Sequence, residues 1–433
     1  MSAMEKFTEI IHDVAVWVDD NKYLSAIKRT FTLYMPFVIV GSFSTLFNVL
    51  LSSPTTGLAQ FSMFEWLGAL TPAFDAMNFA TLNSMSLAIP VILGAVLGQA
   101  NKVNPVTSSV LALATYISVI PQSVEVVLEG ASQLAAGLPV SAINASGLFV
   151  GMISTILIVE LFSKLTNIDR LIIKMPPSVP AGITESFNVL IPIALTLIIS
   201  SIAGQLFVLA TGNYLNEYIY AIIQAPLEAI VQTPAGIIIL VVLSQVFWLV
   251  GIHGGLIVSP VRNPLLIAAL AQNINELNAG LEPSNPVTMG FWIVFMVVGG
   301  AGLTLSLIIS LLLFSKNEDS KAIAKISLIP GLFGISEPIV FGLPLVLNPT
   351  FAIPFVFSSG IGTAIALFFN NIGFISPNTV DVPFGIPLGL NAFLGYGLSG
   401  VIVQLIILVV GIVCYIPFVL AENRIKPELE ESK

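Results

Sequence analysis

The amino-acid sequence predicts an all-α polytopic membrane protein with about ten transmembrane helices and one or more re-entrant hairpins. Two counts and one pattern predict this fold class. Of the 433 residues, 56% are hydrophobic and only 9% are charged, whereas roughly a quarter of the residues of soluble domains are charged. Lys and Arg also occur in a few clusters, separated by long stretches that contain neither. The composition therefore excludes a soluble enzyme and a nucleic-acid-binding protein.

The basic clusters assign a side of the membrane to each loop, because cytoplasmic loops carry an excess of Lys and Arg. Apolar stretches long enough to cross roughly 30 Å of hydrocarbon lie between the loops. We predict spans at 30–51, 80–99, 106–121, 146–163, 183–210, 237–252, 254–271, 288–314, 351–370 and 391–420. Both termini are then cytoplasmic. The stretches without any Lys or Arg, at 52–75, 122–145, 211–236, 272–287 and 371–390, form the loops on the other side.

Segment 326–349 is apolar enough to enter the bilayer but is interrupted by many helix-breaking residues. These are Pro330, Gly331, Gly334, Pro338, Gly342, Pro344 and Pro349. Each proline inside a helix removes a backbone donor and clashes with the preceding turn. We therefore predict a re-entrant hairpin, and such backbone is tolerated at membrane depth only where protein or water surrounds it. The hairpin is thus expected to line a cavity.

Two further segments are expected to lie along the cytoplasmic surface. In 4–20, apolar residues recur at helical spacing with charged residues on the other faces, as in interfacial amphipathic helices. Segment 164–181 combines basic and apolar residues before Pro176 and Pro177. The predicted organisation is then an N-terminal part, 1–182, with the first four spans. A second part, 183–433, holds spans five to ten and the hairpin, although span five is also compatible with the first part.

Ionisable side chains at membrane depth are costly and are functional candidates by default. Two stand out, His253 at a break between apolar segments and Glu337 in the middle of the predicted hairpin. The alternative for His253 is a neutral imidazole bonded to a carbonyl in a helix bend. The alternative for Glu337 is a carboxylate that caps the hairpin backbone. Since both lie at helix breaks, we favour a shared ligand site.

Other polar residues near these two are weaker candidates. Gly254 allows close approach by a ligand, and Ser336 directly precedes Glu337. Arg262 is an isolated base that either sets sidedness or pairs with a carboxylate. Asn263 and Asn391 offer amide hydrogen bonds to a polar solute, but asparagines in spans also join helices.

The sequence lacks the residues that several kinds of chemistry require. The chain has no Gly-Lys-Ser/Thr phosphate-binding motif, so we expect no ATP hydrolysis. With one cysteine, Cys414, and two histidines, no metal site or other cofactor is expected. What remains is a pore or carrier for a neutral polar solute held by a carboxylate, an imidazole and backbone groups.

Four stretches of the sequence resemble enzyme IIC of the lactose/cellobiose family of bacterial phosphoenolpyruvate-dependent sugar phosphotransferase systems. They are Asn21–Ile27 leading to Met35-Pro36, Lys174–Pro180, Gly251–Gly254, and Ile335–Pro344 with Asn348-Pro349. The resemblance covers essentially the whole chain, and Ser336-Glu337-Pro338-Ile339 is its most specific part. The cellobiose and diacetylchitobiose carriers are the most similar.

The resemblance implies a homodimer in the bacterial cell membrane, with a disaccharide bound near the bilayer middle and moved by a shift of the sugar-binding half. The part 183–433 would be that half, and 1–182 the scaffold. His253 and Glu337 would lie near the sugar hydroxyl that is phosphorylated. The phosphate would come from a cysteine of a partner, IIB, which is charged by IIA. Neither Cys414 nor His12 lies in a relay domain, so we expect these partners to be separate chains and this chain to present the sugar.

One stretch departs from the family pattern. Many relatives carry a Pro-Trp-Thr-Thr-Pro stretch before the last span, where this chain has Val380–Pro387 without tryptophan. Aromatic faces stack on sugar rings, so the sugar preference is expected to differ, and Phe384 is a candidate replacement. Two other functions stay open, a proton-coupled sugar symporter that uses Glu337 as its protonation site, and a passive pore.

Overall fold

The computed structural model describes residues 13, 16–17, 20–54, 57–128, 131–173, 175–176, 179–343, 345–346, 348 and 350–431. The described chain is mostly helical, as predicted. Most of the amphipathic segment 4–20, with His12, and the residues Lys174, Pro177, Pro344 and Pro349 lie outside these ranges. Contacts divide the chain into two units, one of residues 21–44 and 50–227, the other of 228–433 together with 1–20 and 45–49.

The first unit holds the helices before residue 228 and a small hairpin. Its helices are α1 (Lys22–Phe47), α2 (Thr71–Thr81), α3 (Met85–Ala100), α4 (Pro105–Val119), α5 (Val140–Ile143), α6 (Leu148–Thr166), α7 (Ala181–Asn188), α8 (Leu190–Thr211) and α9 (Leu215–Ile219), and α10 (Ala225–Gln232) begins in it. Strands β1 (Ser123–Leu128) and β2 (Ala131–Ala136) pair antiparallel, from Ser123 opposite Ala136 to Leu128 opposite Ala131.

Helices α3, α4, α6 and α8 form the core of the first unit. Leu111, Ile158 and Phe162 are buried there against apolar residues of α8 such as Ile193. Helix α8 contains most of predicted span five, so this span packs with the first unit. In α6, Glu160 accepts hydrogen bonds from Lys22, 2.5 Å away, and from Asn101 at the end of α3, which ties α1, α3 and α6 together.

The second unit builds a separate core from helices that begin after residue 233. They are α11 (Pro234–Leu249), α12 (Gly254–Ile257), α13 (Ser259–Asn278), α14 (Met289–Phe291), α15 (Thr304–Phe314), α16 (Glu318–Leu332), α17 (Glu337–Gly342), α18 (Ala352–Asn371) and α19 (Leu390–Glu431). Trp248, Leu307, Val340, Phe355 and Tyr415 are all buried in one apolar cluster. This cluster joins α11, α15, α17, α18 and α19.

The predicted span 288–314 is broken in its middle. After α14 and a π-helical turn (Trp292–Met296), the backbone bends where Gly299, Gly300 and Gly302 adopt positive φ. The Gly302 carbonyl accepts hydrogen bonds from Ser358 and Tyr415, at 2.8 and 2.6 Å. A carbonyl freed by a bend at membrane depth needs such partners, so neighbouring helices stabilise the break.

The number of crossings stays a prediction. Among the described residues, five helices are long and apolar enough to span, or up to seven if two bent helix pairs each count as one span. The predicted span 254–271 is not one of them; it consists of α12 and the first part of the largely buried α13.

Several of the predicted loops contain regular secondary structure. Part of 52–75 is helical, in a 3-10 segment (Ser62–Leu70) and α2, and this pair of helices bends by 42° into α3. The loop 122–145 contains the β-hairpin, in which Val124 and Val126 favour extended backbone. The span prediction weighed apolar length and charge, and neither quantity detects short amphipathic structure.

Candidate functional site

His253 lies in the break between α11 and α12. Gly251, two residues earlier, has a φ of +85°, a left-handed conformation that favours glycine. The imidazole caps α12, because its Nδ1 accepts a hydrogen bond from the backbone N–H of Leu256 at 3.2 Å. A neutral imidazole carries one proton, so this contact assigns the proton to Nε2. His253 therefore has its hydrogen-bond donor at Nε2, on the edge of the ring opposite the cap.

The ring of Trp248 packs against the imidazole of His253. Its side chain is 3% exposed within the core of the second unit, and its ring centroid lies 4.4 Å from that of His253 at a 46° tilt. Because Trp248 is fixed by packing, it restricts the plane of the histidine ring. No pattern in the sequence singles out this residue.

Glu337 is the first residue of α17, directly after a tight turn over 333–336. The turn contains Gly334, and the Ile335 amide donates to the Pro330 carbonyl at 3.0 Å. The carboxylate at the start of a helix is favoured by the unpaired N–H groups there. Pro338, expected to interrupt a helix, occupies the second position of α17, where its fixed φ suits a helix start. Likewise, helix α16 continues through Pro330 to Leu332, so the predicted hairpin is a helix, a turn and a second helix.

The structure brings His253 and Glu337 together although they are 84 positions apart. The imidazole Nε2 lies 3.8 Å from the carboxylate Oε1, and the side chains are 44% and 46% exposed. This distance is longer than a direct hydrogen bond. A hydroxyl oxygen can therefore accept from Nε2 while its proton is donated to the carboxylate. The substrate-binding role of both residues stays a prediction.

The glycine beside the histidine has a structural reason of its own. A β-carbon on Gly254 would overlap the backbone carbonyl oxygen of Ser244 in α11. Gly254 is buried, so this residue permits close packing of α12 on α11 and does not face an open cavity.

Arg262 and Asn263 interact with each other at the start of α13. The guanidinium Nε and Nη2 donate to Asn263 Oδ1 at 3.1 and 2.9 Å, and the guanidinium carbon lies 4.5 Å from the ring centroid of the buried Trp292. The expected carboxylate partner of Arg262 is not found among the described residues. Asn263 is buried, and its amide oxygen accepts both hydrogen bonds from the arginine.

The remaining candidates lie around the turn before Glu337. Ser336 is buried and packs against Gly300. Phe384 is 63% exposed, and with Phe333, Gly334 and Asn391 it lines a small hollow. Asn391 is buried, and its side-chain oxygen accepts a hydrogen bond from Gln404 at 2.9 Å. Asn391 therefore joins segments of the second unit, whereas Phe384 is accessible to a ligand.

A buried carboxyl, Asp381, lies three residues before Phe384 and was not predicted. It is 4% exposed and accepts a hydrogen bond from the N–H of Val382 at 3.0 Å. Burial raises the pKa of Asp381 from its ordinary value to about 6. The native state thus favours the protonated form.

We expect the stability of the protein to depend on this carboxyl. Because the pKa is higher in the native than in the unfolded state, the contribution of Asp381 to stability is greatest below about pH 4 and is lost as the pH rises through about 6. The total effect is on the order of 3 kcal/mol. Asp381→Asn should remove this fall and raise the melting temperature at pH 7, measured by thermal unfolding in detergent between pH 4.5 and 7.5. The exposed Asp169→Asn is the control, and an equal pH dependence in wild type and Asp381→Asn would refute the assignment.

Comparison with known proteins identifies the family. The family described as "Phosphotransferase system, EIIC" matches residues 28–359. The chain is 29% identical to the oligo-beta-mannoside-specific EIIC component of Bacillus subtilis (strain 168), covering 99% of this chain and 96% of that protein. It is 28% identical to the cellobiose-specific EIIC component of Geobacillus stearothermophilus, covering 99% and 97%.

A solved structure agrees with the sequence comparisons. The crystal structure of the transporter ChbC, the IIC component from the N,N'-diacetylchitobiose-specific phosphotransferase system, superposes with a TM-score of 0.89. The two chains are 31% identical, and the match covers 98% of each. The resemblance inferred from the motifs around His253 and Glu337 is confirmed: this chain belongs to the EIIC family of the phosphotransferase system, the sugar-transporting membrane components.

Proposed function

We propose that this chain binds a disaccharide of the cellobiose or diacetylchitobiose class and carries it inward across the bacterial cell membrane. It presents one sugar hydroxyl for phosphorylation by a separate IIB chain, which IIA charges with phosphate. The observation that carries the proposal is the contact between His253 and Glu337, two half-exposed groups 3.8 Å apart. The protein acts as a homodimer with both termini in the cytoplasm.

The two side chains have different roles in the proposed mechanism. The Nε2–H of His253 donates to the oxygen of the target hydroxyl and orients it. Glu337 accepts the hydroxyl proton in a charge-assisted hydrogen bond, stronger than a neutral one. Since Nδ1 of the histidine already accepts from Leu256, the neutral imidazole has no lone pair for the substrate. Glu337 is therefore the general base that removes the proton when phosphate arrives.

The substrate class is supported by the named relatives. The oligo-beta-mannoside, cellobiose and diacetylchitobiose components all have names that specify β-linked saccharides. These sugars are uncharged, in accord with the expectation from the sequence. The functional division that we propose is a scaffold in 1–182 and a sugar-binding half in 183–433, with most of span five packed in the first unit.

Phe384 is expected to contribute to sugar preference. Its exposed ring lies next to the turn that precedes Glu337, because a β-carbon on Gly334 would be 3.4 Å from the Phe384 ring. We expect Phe384→Ala to weaken disaccharide binding about three- to tenfold through lost stacking, in line with about 1 kcal/mol for an aromatic contact. The measurement is the dissociation constant for cellobiose and for diacetylchitobiose. Phe368→Ala, an exposed phenylalanine of α18, is the control, and equal affinities in all three proteins would exclude the contact.

The experiment that tests the function uses purified protein in liposomes. Labelled cellobiose and diacetylchitobiose are supplied with or without phosphorylated IIB. We expect saturable binding of one of them, and phosphorylated sugar only when the phosphorylated IIB is present. Uphill accumulation of unmodified sugar driven by a pH gradient would instead establish the symporter. Fast flux that does not saturate would establish a pore.

A further inference from the structure

Arg262 has a charge that the described protein does not neutralise. Its guanidinium is half-buried and has two neutral partners, the Asn263 amide oxygen and the ring of Trp292. No carboxylate lies within ion-pair distance among the residues that the structure describes. A partly buried guanidinium next to neutral groups alone is costly. Such a group is well suited to bind an anion that the protein itself does not supply.

The part of the guanidinium that does not bond to Asn263 lies near the histidine. Nε and Nη2 donate to Asn263, whereas Nη1 has no hydrogen-bond partner in the described part of the chain. A β-carbon built on Gly255 would lie 3.3 Å from His253 Cε1 and 3.8 Å from Arg262 Nη1. The imidazole and Nη1 thus flank the same glycine. Two N–H donors of Arg262 are therefore available beside the candidate site.

We propose that Arg262 forms an anion subsite next to His253 and Glu337 that holds the phosphoryl group as it reaches the sugar hydroxyl. This inference rests on the proposed function, in which the phosphoryl group is the anion that the reaction brings to the site. The planar guanidinium matches the oxygens of a phosphate, to which it can donate two parallel hydrogen bonds. An uncharged disaccharide alone would leave the arginine charge without an anion.

The transfer step balances with this assignment. The hydroxyl oxygen of the sugar attacks phosphorus, and its proton passes to the Glu337 carboxylate. The bond between phosphorus and the cysteine sulfur of IIB breaks, and the thiolate leaves with the electron pair. Arg262 stabilises the negative charge on the phosphoryl oxygens during transfer and in the product.

The test compares binding of the sugar with binding of its phosphorylated product. The probes are the disaccharide that wild-type protein binds and the sugar phosphate purified from the wild-type reaction. Arg262→Gln should leave the dissociation constant of the sugar within threefold of wild type and weaken product binding tenfold or more. In the transfer reaction it should lower kcat and leave KM for the sugar nearly unchanged. Arg262→Lys keeps the charge without the planar fork and should weaken product binding less.

The exposed Arg170, outside the second unit, provides the matched control. Arg170→Gln removes the same charge and should change neither dissociation constant. Equal weakening of sugar and product in Arg262→Gln would make Arg262 a sugar ligand and overturn the anion subsite. Unchanged product binding in both Arg262 variants, or an equal loss in Arg170→Gln, would also overturn it. If wild-type protein binds neither disaccharide, the proposed function fails instead.

Discussion

Replacement of Glu337 by glutamine is expected to weaken disaccharide binding by about tenfold to a hundredfold. The carboxylate accepts a hydrogen bond from the target hydroxyl in the proposed complex, and a hydrogen bond to a charged group contributes about 1.5–3 kcal/mol. The variant also lacks the general base, whose loss costs a further factor of about 10² to 10⁴ in rate. Phosphorylation by IIB should thus become nearly undetectable. The measurements are calorimetric binding of the disaccharide and formation of labelled sugar phosphate.

Glu318→Gln is the matched control for this variant. Glu318 begins α16, at the other end of the same helix–turn–helix segment, and its side chain is 81% exposed. The substitution removes the same charge and should leave binding and phosphorylation close to wild type. Wild-type affinity in Glu337→Gln would remove this carboxylate from the site.

Replacement of Gly254 by alanine is expected to destabilise the protein and to abolish sugar binding. The added β-carbon would overlap the Ser244 carbonyl oxygen of α11, and backbone cannot move aside as a flexible side chain does. Overpacking of a well-packed core costs typically 1–3 kcal/mol, and His253 would be displaced together with α12. We expect a melting temperature several degrees lower and loss of sugar binding, measured by thermal unfolding and calorimetry in detergent.

A second glycine provides the control for this effect. A β-carbon on Gly182 in α7 would meet no atom within 4 Å, so Gly182→Ala should leave the melting temperature unchanged or slightly higher. If Gly254→Ala melts at the wild-type temperature and binds sugar normally, α12 does not pack tightly against α11.

The sequence indicated candidate residues for the site but not their arrangement. His253 and Glu337 could be identified because ionisable groups are costly in apolar segments. Their 3.8 Å contact depends on how α11 and α17 pack in the second unit, and no local pattern carries that information. Trp248 was missed since a tryptophan in an apolar run has no distinct signal, although its position five residues before His253 was available.

Predictions of local structure were wrong where short-range geometry determines the backbone conformation. Pro338 reads as a helix breaker, yet a proline near a helix start stabilises the helix, and only the position of the turn distinguishes the two cases. Of the two expectations for Arg262, a carboxylate partner is not found among the described residues, where its partners are an adjacent amide and Trp292, and a role in sidedness stays a prediction. Asp381 lies in a stretch that was assigned to a loop, so its burial could not be foreseen.

A double-mutant cycle on His253 and Glu337 tests the central claim that the two groups together hold one sugar hydroxyl. His253→Asn removes the Nε2 donor but retains a side-chain oxygen that can cap α12, and it is combined with Glu337→Gln. We predict that each single variant weakens binding and that the double variant is no weaker than about the worse of the two. The coupling energy would then be about 1 kcal/mol or more. Additive losses within about 0.5 kcal/mol, or wild-type affinity in either single variant, would contradict the account.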